Sequence, residues 1–321
     1  MTDHFHDQLP HTLRTTHLQG FGEPRRGKVR DVYTDGDRLI LVTTDRLSAF
    51  DHVLTTLPFK GQLLNQLAAF WFDKTKDVAK SHLVDVPDPN VLVGRRCEAL
   101  PVEVVVRGHL TGSLWRDYEA GRANQAYGLS LPAGMKRDQA FPEAILTPST
   151  KAEDGAHDAP LPEEKIIGDG IVPAEVWKEV RRLALALFAR GQQWSATRGL
   201  ILVDTKYEFG LDGDELYVID EIHTPDSSRY WMAEGSKERF DRGEGQQMLD
   251  KENLRQWLIA ERGFSGHGAL PDIPDAVRVN LAQIYALAFE RITGAAPMLE
   301  VGPVEPRIAQ ALKSKGYPKA R

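Results

Sequence analysis

Cysteine and long apolar runs are scarce in this sequence. Cys97 is the single cysteine in 321 residues, which excludes an internal disulfide framework and fits a reducing compartment. The longest apolar helix core, at 183–189, is far too short to span a membrane. The polar N-terminus lacks the apolar core of a signal peptide. We therefore expect a cytoplasmic protein with no membrane partner.

A positive net charge is also absent. The chain has 40 lysines and arginines against 46 aspartates and glutamates, which gives a formal net charge of −6. This balance argues against a nucleic acid as the main partner, although local basic patches can still hold small anions. The length predicts two lobes or one large α/β domain.

The stretch from 200 to 231 carries the densest pattern of charged residues in a strand-like context. It opens with an apolar run, after which Asp204, Lys206 and Glu208 follow at every second position. Side chains alternate between the two faces of a β-strand, so these three are expected to project from one face. A plain amphipathic hairpin with a solvated charged face shows the same alternation.

A second strand-like run follows a turn signal at 212–214 and ends near Asp220. With a three-residue loop, Glu208 and Asp220 become diagonal neighbours on one face, close enough to share a cation. A two-residue turn shifts the register by one and places them on opposite faces. The sequence leaves both registers open, and the shared face is a hypothesis.

The polar turn at 224–229 adds a carboxylate, three hydroxyl groups and a guanidinium group to this stretch. Such a combination suits a metal-bridged phosphate site better than a solvent face. The segments VDTKYEFG and IDEIHTPDSSRYW resemble the signature of the SAICAR synthetase (phosphoribosylaminoimidazole-succinocarboxamide synthase) family. The segments GKVRD, TDRLSAFD and VVRGHLTGS match the same family in the expected order, so the resemblance covers most of the chain.

This resemblance implies an ATP-dependent ligase of purine synthesis. The reaction joins the carboxylate of carboxyaminoimidazole ribonucleotide (CAIR) to L-aspartate through an acyl phosphate, and ATP becomes ADP and phosphate. The expected partners are these small molecules with Mg²⁺, and the expected assembly is a monomer or homodimer. In-line phosphoryl transfer needs neutralisation of the phosphate charge, which Mg²⁺ supplies.

The resemblance also implies roles for the central charged residues. Glu208 and Asp220 are the expected Mg²⁺ ligands, because Mg²⁺ prefers one or two carboxylates with phosphate and water. Lys206 is expected to orient the substrate carboxylate, and Asp204 to accept hydrogen bonds from the exocyclic amine of the substrate. No general base is evident, since nothing in the sequence ranks His223 against the nearby aspartate.

The glycine-flanked segment around Ser113 precedes a helical pattern. Backbone N–H groups at a helix start attract anions, and a serine N-cap is the equally common alternative. The resemblance implies that Arg107, Ser113 and Arg229 hold the phosphate of the nucleotide substrate, with Ser228 beside them.

The N-terminal part contributes a predicted hairpin with Lys28 and Arg30 on one face. It is not a Walker loop, because no Ser or Thr follows Gly-Lys before a helix, and a plain edge hairpin fits as well. The resemblance implies a lid over the ATP phosphates, with Lys28 and Arg30 as phosphate contacts. The segment TDRLSAFD reads either as a loop before a helix or, by resemblance, as part of the substrate pocket. The pocket candidates in it are Asp45, Arg46 and Ser48.

Strand-like segments at 91–96 and 102–106 fall where the family has its adenine-binding hinge. A strand edge can hydrogen-bond adenine through backbone groups, and Glu103 is the candidate ATP contact there. We predict an α+β fold with a two-lobed ATP-grasp or kinase-like architecture. An antiparallel β-rich lobe, residues 1–103, carries the phosphate lid, and a larger α/β lobe, residues 104–321, carries the substrate and metal sites and the C-terminal helices.

The remaining segments read as scaffold or loop. Helices are predicted from Pro173, after Asp250, from Pro274 and over 306–316. Residues 121–165 have few periodic apolar positions, and we interpret them as a long loop that forms a flap over the site. Residues 1–20 are expected to be a loosely ordered lead-in.

Two other functions fit part of the pattern. Asp-x-Lys in a strand near a Mg²⁺ carboxylate also occurs in inositol-phosphate kinases, which begin with the same phosphoryl transfer. A non-catalytic nucleotide-sensing module with a retained pocket is the second alternative. A kinase would release ADP without L-aspartate, and a sensing module would bind ATP without forming ADP.

Overall fold

The computed structural model describes residues 2–49, 52–151, 158–249, 252–266 and 268–318. In chain order the strands are β1 (Arg25–Arg26), β2 (Arg30–Asp35), β3 (Arg38–Thr43), β4 (Arg46–Ala49), β5 (His52–Thr56), β6 (Leu83–Asp88), β7 (Val91–Arg95), β8 (Glu98–Ala99), β9 (Val102–His109), β10 (Ala140–Leu146), β11 (Ser149–Thr150), β12 (Leu200–Asp212), β13 (Glu215–Ile219) and β14 (Ser228–Met232). The helices are α1 (Thr2–Gln8), α2 (Lys60–Lys74), α3 (Gly112–Glu119), α4 (Ala123–Tyr127), α5 (Glu163–Gly168), α6 (Ala174–Ala196), α7 (Ser236–Arg242), α8 (Glu252–Arg262), α9 (Asp275–Thr293) and α10 (Val304–Ser314). The predicted N-cap Asp250 and the flap segment 153–157 lie outside the described residues.

The first sheet is antiparallel, with strand order β1-β2-β3-β7-β6. The predicted hairpin is confirmed, since β2 pairs with β3 along its whole length and Asp35 lies opposite Arg38. One face buries an apolar cluster to which the sheet contributes Tyr33 and α10 contributes Ile308 and Leu312. The last helix of the chain therefore packs against the N-terminal sheet.

The second sheet is built around the long strand β12. Strands β9, β13, β14 and β8 all pair with it in antiparallel fashion, while β10 and β11 pair with β9. Helix α6 packs against β12 and begins after Pro173, as predicted. Its buried Val180, Leu183 and Leu187 recur at intervals of three and four residues, which places them on one side of the helix. The main core joins these residues to α2, α9 and the first sheet.

The β12–β13 hairpin has the two-residue turn. Asp212 lies opposite Glu215, and Glu208 therefore lies opposite Ile219. The alternative with a three-residue loop, whose register would place Glu208 and Asp220 on one face, is therefore wrong. Strand β13 ends at Ile219, and Asp220 follows in the left-handed region with φ 66°. This backbone change interrupts the alternation, so the position of the Asp220 carboxylate depends on the turn and not on the register.

Two predictions of irregular structure are wrong. The span 121–165 contains α4, β10, β11 and the start of α5, because its sparse apolar residues pack locally around Leu110 and Tyr127. The lead-in at 1–20 contains α1 and buries Phe5, Leu13 and Leu18 in the two cores.

The architecture is a mixed α/β fold with antiparallel sheets. The predicted lobe boundary at 103/104 falls inside β9, and the division into two lobes stays a prediction. Within the described ranges, no helix is long and apolar enough to cross a membrane.

Candidate active site

Asp204 lies between two arginines on the face of the second sheet. In the strand pairing it stands directly opposite Arg107 of β9 on one side and Arg229 of β14 on the other. Its Oδ2 accepts hydrogen bonds from Arg107 Nη1 at 3.0 Å and from Arg229 Nη1 at 2.6 Å. One carboxylate thus holds two guanidinium groups side by side on this face of the sheet.

Arg107 also connects this cluster to α3 and to the segment after β10. It donates from Nη2 to Ser113 Oγ at 3.1 Å and from Nε to Thr147 Oγ1 at 2.8 Å. Burial lowers the pKa of Arg107, and Asp204 opposes this effect. The structure thus brings Arg107, Ser113 and Arg229 together, and Ser113 lies in the first turn of α3 instead of before it.

Gly112 lets Arg229 approach the start of α3. It has φ 60°, and a Cβ atom there would lie 2.6 Å from Arg229 Nη2. A cavity of about 440 Å³ opens beside this contact. Its lining includes Thr111, Gly112 and Arg229 with the indole rings of Trp115 and Trp231. A phosphate at this point would meet backbone N–H groups of a helix start together with a guanidinium group.

Lys206 stands further along the same face of β12, between two glutamates. Its Nζ lies 2.6 Å from Glu103 Oε1 and 2.7 Å from Glu208 Oε1, and Lys151 pairs with the other oxygen of Glu208. Burial raises the pKa of Glu208, but Lys206 and Lys151 outweigh it and the pKa falls to about 2. Glu208 is therefore a carboxylate across the whole neutral range.

Arg30 reaches from the first sheet to the turn after β13. Its guanidinium group pairs with Asp220 and, at 2.9 Å, with Glu221. Burial lowers the pKa of Lys206, but the carboxylates of Glu208, Glu103 and Asp220 raise it above its ordinary value. Lys206 thus stays a cation among these three carboxylates. No cluster of three or more His, Cys, Asp or Glu side chains suited to a metal ion occurs in the described ranges.

Two residues predicted for the substrate pocket, Asp45 and Arg46, form contacts inside the fold. Asp45 is buried and accepts hydrogen bonds from the N–H groups of Leu13 at 2.7 Å and Gly61 at 2.8 Å. Arg46 pairs with buried Asp31 at 2.8 Å and donates to backbone carbonyls. Both side chains are used inside the fold, and these contacts do not support them as substrate ligands.

Three further residues lie outside the charged row. Ser228 Oγ is 2.8 Å from Thr205 Oγ1, on the face of β12 opposite Asp204, because neighbouring positions in a strand alternate. Ser48 is half-buried in β4, and Lys28 is exposed just before β2. The structure therefore does not bring Ser228 to the two arginines.

His223 is excluded as a general base by its surroundings. Its ring is fully buried on the Tyr207 side of the sheet, with Nε2 2.5 Å from the Tyr207 hydroxyl, whereas Lys206 projects from the other side. Burial lowers the pKa of His223 to about 3. The other possible base, Asp226, forms an ion pair with Lys60.

Sequence reasoning missed several partners in these contacts. Thr147 and Lys151 lie in the span 121–165, for which the sequence predicts a loop, and no property of that span pairs them with Arg107 or Glu208. Alternation within one strand identifies a shared face, whereas the partners from other elements depend on strand pairing.

Comparisons with known proteins point to one family. A sequence profile described as SAICAR synthetase matches residues 23–267. A putative phosphoribosylaminoimidazole-succinocarboxamide synthase 2 of Agrobacterium fabrum is 50% identical over 276 residues, covering 84% of this chain and 86% of the relative. A phosphoribosylaminoimidazole-succinocarboxamide synthase of Legionella pneumophila is 43% identical over 307 residues, covering 94% and 97%.

Solved structures show the same likeness. SAICAR synthase from Saccharomyces cerevisiae complexed with SAICAR superposes with a TM-score of 0.77 at 32% identity, covering 89% of this chain and 99% of that one. A SAICAR synthetase in complex with ADP superposes with a TM-score of 0.65 at 28% identity, covering 86% and 100%. The profile match and the identity to these relatives over most of their length show that this chain belongs to the SAICAR synthetase family.

Proposed function

We propose that this chain phosphorylates the carboxylate of CAIR with ATP and then transfers the acyl group to the amine of L-aspartate. As a member of its family, the chain is a ligase that forms an amide bond in purine biosynthesis. One observation carries the assignment of its site: a single row of charges along β12. Arg107 and Arg229 share Asp204 at one end of the row, and Lys206 stands between two glutamates further along.

The two arginines would bind the phosphate of the ribonucleotide. Arg107 already donates to Ser113 in the first turn of α3, and Arg229 lies against Gly112 at the start of that helix. An anion at this place would meet two guanidinium groups, a hydroxyl group and the positive end of a helix. The adjoining cavity has room for more than the phosphate group.

Lys206 and Asp204 would orient the imidazole end of the same substrate. Their side chains project from β12 on one face, one strand repeat apart, so a nucleotide held by its phosphate can lie along both. Lys206 would hold the substrate carboxylate while one of its oxygens attacks the γ-phosphorus of ATP and ADP leaves. Asp204 would accept a hydrogen bond from the exocyclic amine.

Glu208 and Asp220 have the donor chemistry that Mg²⁺ requires. Both are carboxylates, and a site of this kind needs only one or two of them with phosphate and water. Their oxygens pair with Lys206, Lys151 and Arg30, so a bound metal ion would replace part of these ion pairs. Bound Mg²⁺ would neutralise charge on the β- and γ-phosphates. The lid residues Lys28 and Arg30 and the strand residue Glu103 complete the proposed ATP contacts.

Amide formation requires positioning more than covalent help from the protein. The amine nitrogen of L-aspartate attacks the acyl carbon, the phosphate leaves, and the nitrogen loses a proton. Acyl phosphates are reactive, so holding the amine close and excluding water accounts for most of the rate.

An ADP-release assay with purified protein, MgATP and CAIR tests this function. We expect release to require both CAIR and L-aspartate, with SAICAR formed in equal amount. Release that proceeds at the same rate without L-aspartate would indicate a kinase. ATP binding without release under any of these conditions would indicate a sensing module.

A further inference from the structure

The carboxylate of Asp226 is held from two directions by residues outside the second sheet. Its Oδ2 lies 2.6 Å from Lys60 Nζ, and its Oδ1 accepts a hydrogen bond from the Tyr285 hydroxyl at 2.6 Å. Lys60 is fully buried, and Tyr285 is 1% exposed. Two donors on separate oxygens of a buried carboxylate fix its orientation as well as its position.

Asp226 belongs to the turn that connects the two proposed ligand sites. The turn begins at Asp220, which pairs with Arg30, and leads directly into Arg229 of the phosphate clamp. The Ser227 carbonyl, next to Asp226, accepts the N–H of Lys206 at 2.9 Å. A displacement of Asp226 would therefore be transmitted through two residues of backbone to Arg229.

The two donors come from elements that are themselves fixed. Lys60 is the first residue of α2, and buried Asp45 holds this helix start through the N–H of Gly61 at 2.8 Å. Tyr285 lies in the middle of α9, which packs against α2, and its ring centroid is 5.7 Å from Lys60 Nζ. Residue 285 lies beyond residues 23–267, which match the family profile. The C-terminal helix α9 thus contacts the site turn from outside the matched region.

We propose that Tyr285, together with Lys60, is a positioning residue that acts through Asp226 to keep Arg229 in the phosphate clamp. This inference rests on the proposed function, which assigns Arg229 to the ribonucleotide phosphate. Tyr285 does not touch the substrate in this arrangement. Its contribution is to restrict the turn, so that the Arg229 guanidinium is already in place when the phosphate arrives.

Tyr285→Phe tests this inference, because it removes one hydroxyl group and keeps the buried ring. We expect the KM for CAIR to rise on the order of tenfold, since a small displacement of a binding group has effects of that size. The kcat and the KM for ATP should change by less than about twofold, because a positioning effect at the clamp leaves the phosphoryl-transfer residues in place. Steady-state kinetics with each substrate varied in turn gives these values.

Tyr33→Phe is the matched control. Tyr33 is also fully buried, but it lies in the core of the first sheet. Its hydroxyl donates to Thr16 Oγ1 at 2.8 Å and accepts from the N–H of Leu18 at 3.1 Å, and the variant loses both hydrogen bonds. Its kinetic constants should stay close to those of the unmodified protein. An equal rise of the KM for CAIR in Tyr33→Phe would overturn the inference, because it would show a general effect of lost stability.

A double-variant cycle with Arg229→Ala separates this inference from the proposed function. If Tyr285 acts through Arg229, adding Tyr285→Phe to Arg229→Ala raises the KM for CAIR no further. An undiminished further rise, or an unchanged KM in Tyr285→Phe alone, overturns the inference and leaves the clamp intact. An unchanged KM in Arg229→Ala removes the clamp itself and the inference with it.

Discussion

At the scale of single residues, the site depends on which charges oppose each other across neighbouring strands. Asp204, Lys206 and Glu208 are predictable as one face because a strand alternates. Their partners Arg107, Arg229 and Glu103 are separated from them by many positions and become neighbours only through strand pairing. The same alternation excludes Ser228 from the clamp, since its neighbour Arg229 occupies the clamp face.

Glu208 and Asp220 provide the test at this scale. We expect Glu208→Ala and Asp220→Ala each to abolish turnover and to weaken MgATP binding, because each removes an oxygen donor for the metal ion. The fold should persist, because neither side chain contributes to the apolar core. Calorimetric titration with MgATP and circular dichroism measure the two properties separately.

Glu215→Ala is the control for these variants. Glu215 also pairs with a lysine, Lys80 at 2.6 Å, but at the exposed end of the β12–β13 hairpin. The Glu215→Ala variant should bind MgATP and catalyse the reaction as the unmodified protein does. Near-normal activity in both Glu208→Ala and Asp220→Ala would remove the metal assignment.

At the scale of elements, the start of α3 determines how closely Arg229 approaches the proposed phosphate site. The helix begins at Gly112, whose positive φ and missing side chain leave the space that Arg229 fills. The sequence predicted a helix after the glycine-flanked segment and left an anion site and a serine N-cap as alternatives at its start. The resemblance implied that Arg229 acts with Ser113, but not that its guanidinium group lies against Gly112.

Gly112→Ala tests the role of this space. A Cβ atom would lie 2.6 Å from the Arg229 guanidinium, which is the mobile end of a side chain and can move aside. We expect the KM for CAIR to rise on the order of tenfold, with a stability loss of only about 1 kcal/mol from the positive φ. Kinetics and urea unfolding measure the two effects.

Gly121→Ala is a control matched in backbone conformation. Gly121 has φ 72°, just after the end of α3, and a Cβ atom there would contact nothing within 4 Å. The Gly121→Ala variant should lose about as much unfolding free energy as Gly112→Ala, and its KM for CAIR should not change. If both variants bind CAIR normally, the close approach of Arg229 to the helix start has no role in binding.

At the scale of the whole molecule, the two sheets are joined beside the site. His82 contributes backbone hydrogen bonds to both, donating to Val218 of β13 at 3.0 Å and accepting from Arg95 of β7 at 2.7 Å. Its side chain is buried at this junction, close to Asp220. Arg30 crosses the same junction from the first sheet.

The buried ring of His82 predicts how stability depends on pH. Burial lowers the pKa of His82 to about 4, which outweighs the opposite effect of Asp220. At pH values between the pKa of His82 in the folded protein and the ordinary histidine value near 6.5, the unfolded chain binds more protons than the folded protein. The neutral ring of His82 therefore favours the folded state at pH 7, and this contribution is lost as the pH falls. When the pH falls from 7 to 5, the free energy of unfolding of the unmodified protein should therefore decrease by about 2 kcal/mol more than that of His82→Leu.

Urea unfolding of both proteins at the two pH values measures this difference. Leu67→Ala is the control, because it removes a buried apolar side chain from α2 and no titrating group. Its loss of stability should be the same at pH 5 and pH 7. A difference between the unmodified protein and His82→Leu that does not change with pH would contradict the prediction.

The sequence by itself determined the family, the charged face of β12, the β2–β3 hairpin and the longer helices, because these depend on local patterns and on short matching segments. Only the tertiary structure decided the two-residue turn at 213–214, the sharing of Asp204 by two arginines and the contact of Tyr285 with Asp226. These contacts join residues far apart in the chain. Their geometry is set by strand pairing and helix packing, which no local pattern encodes.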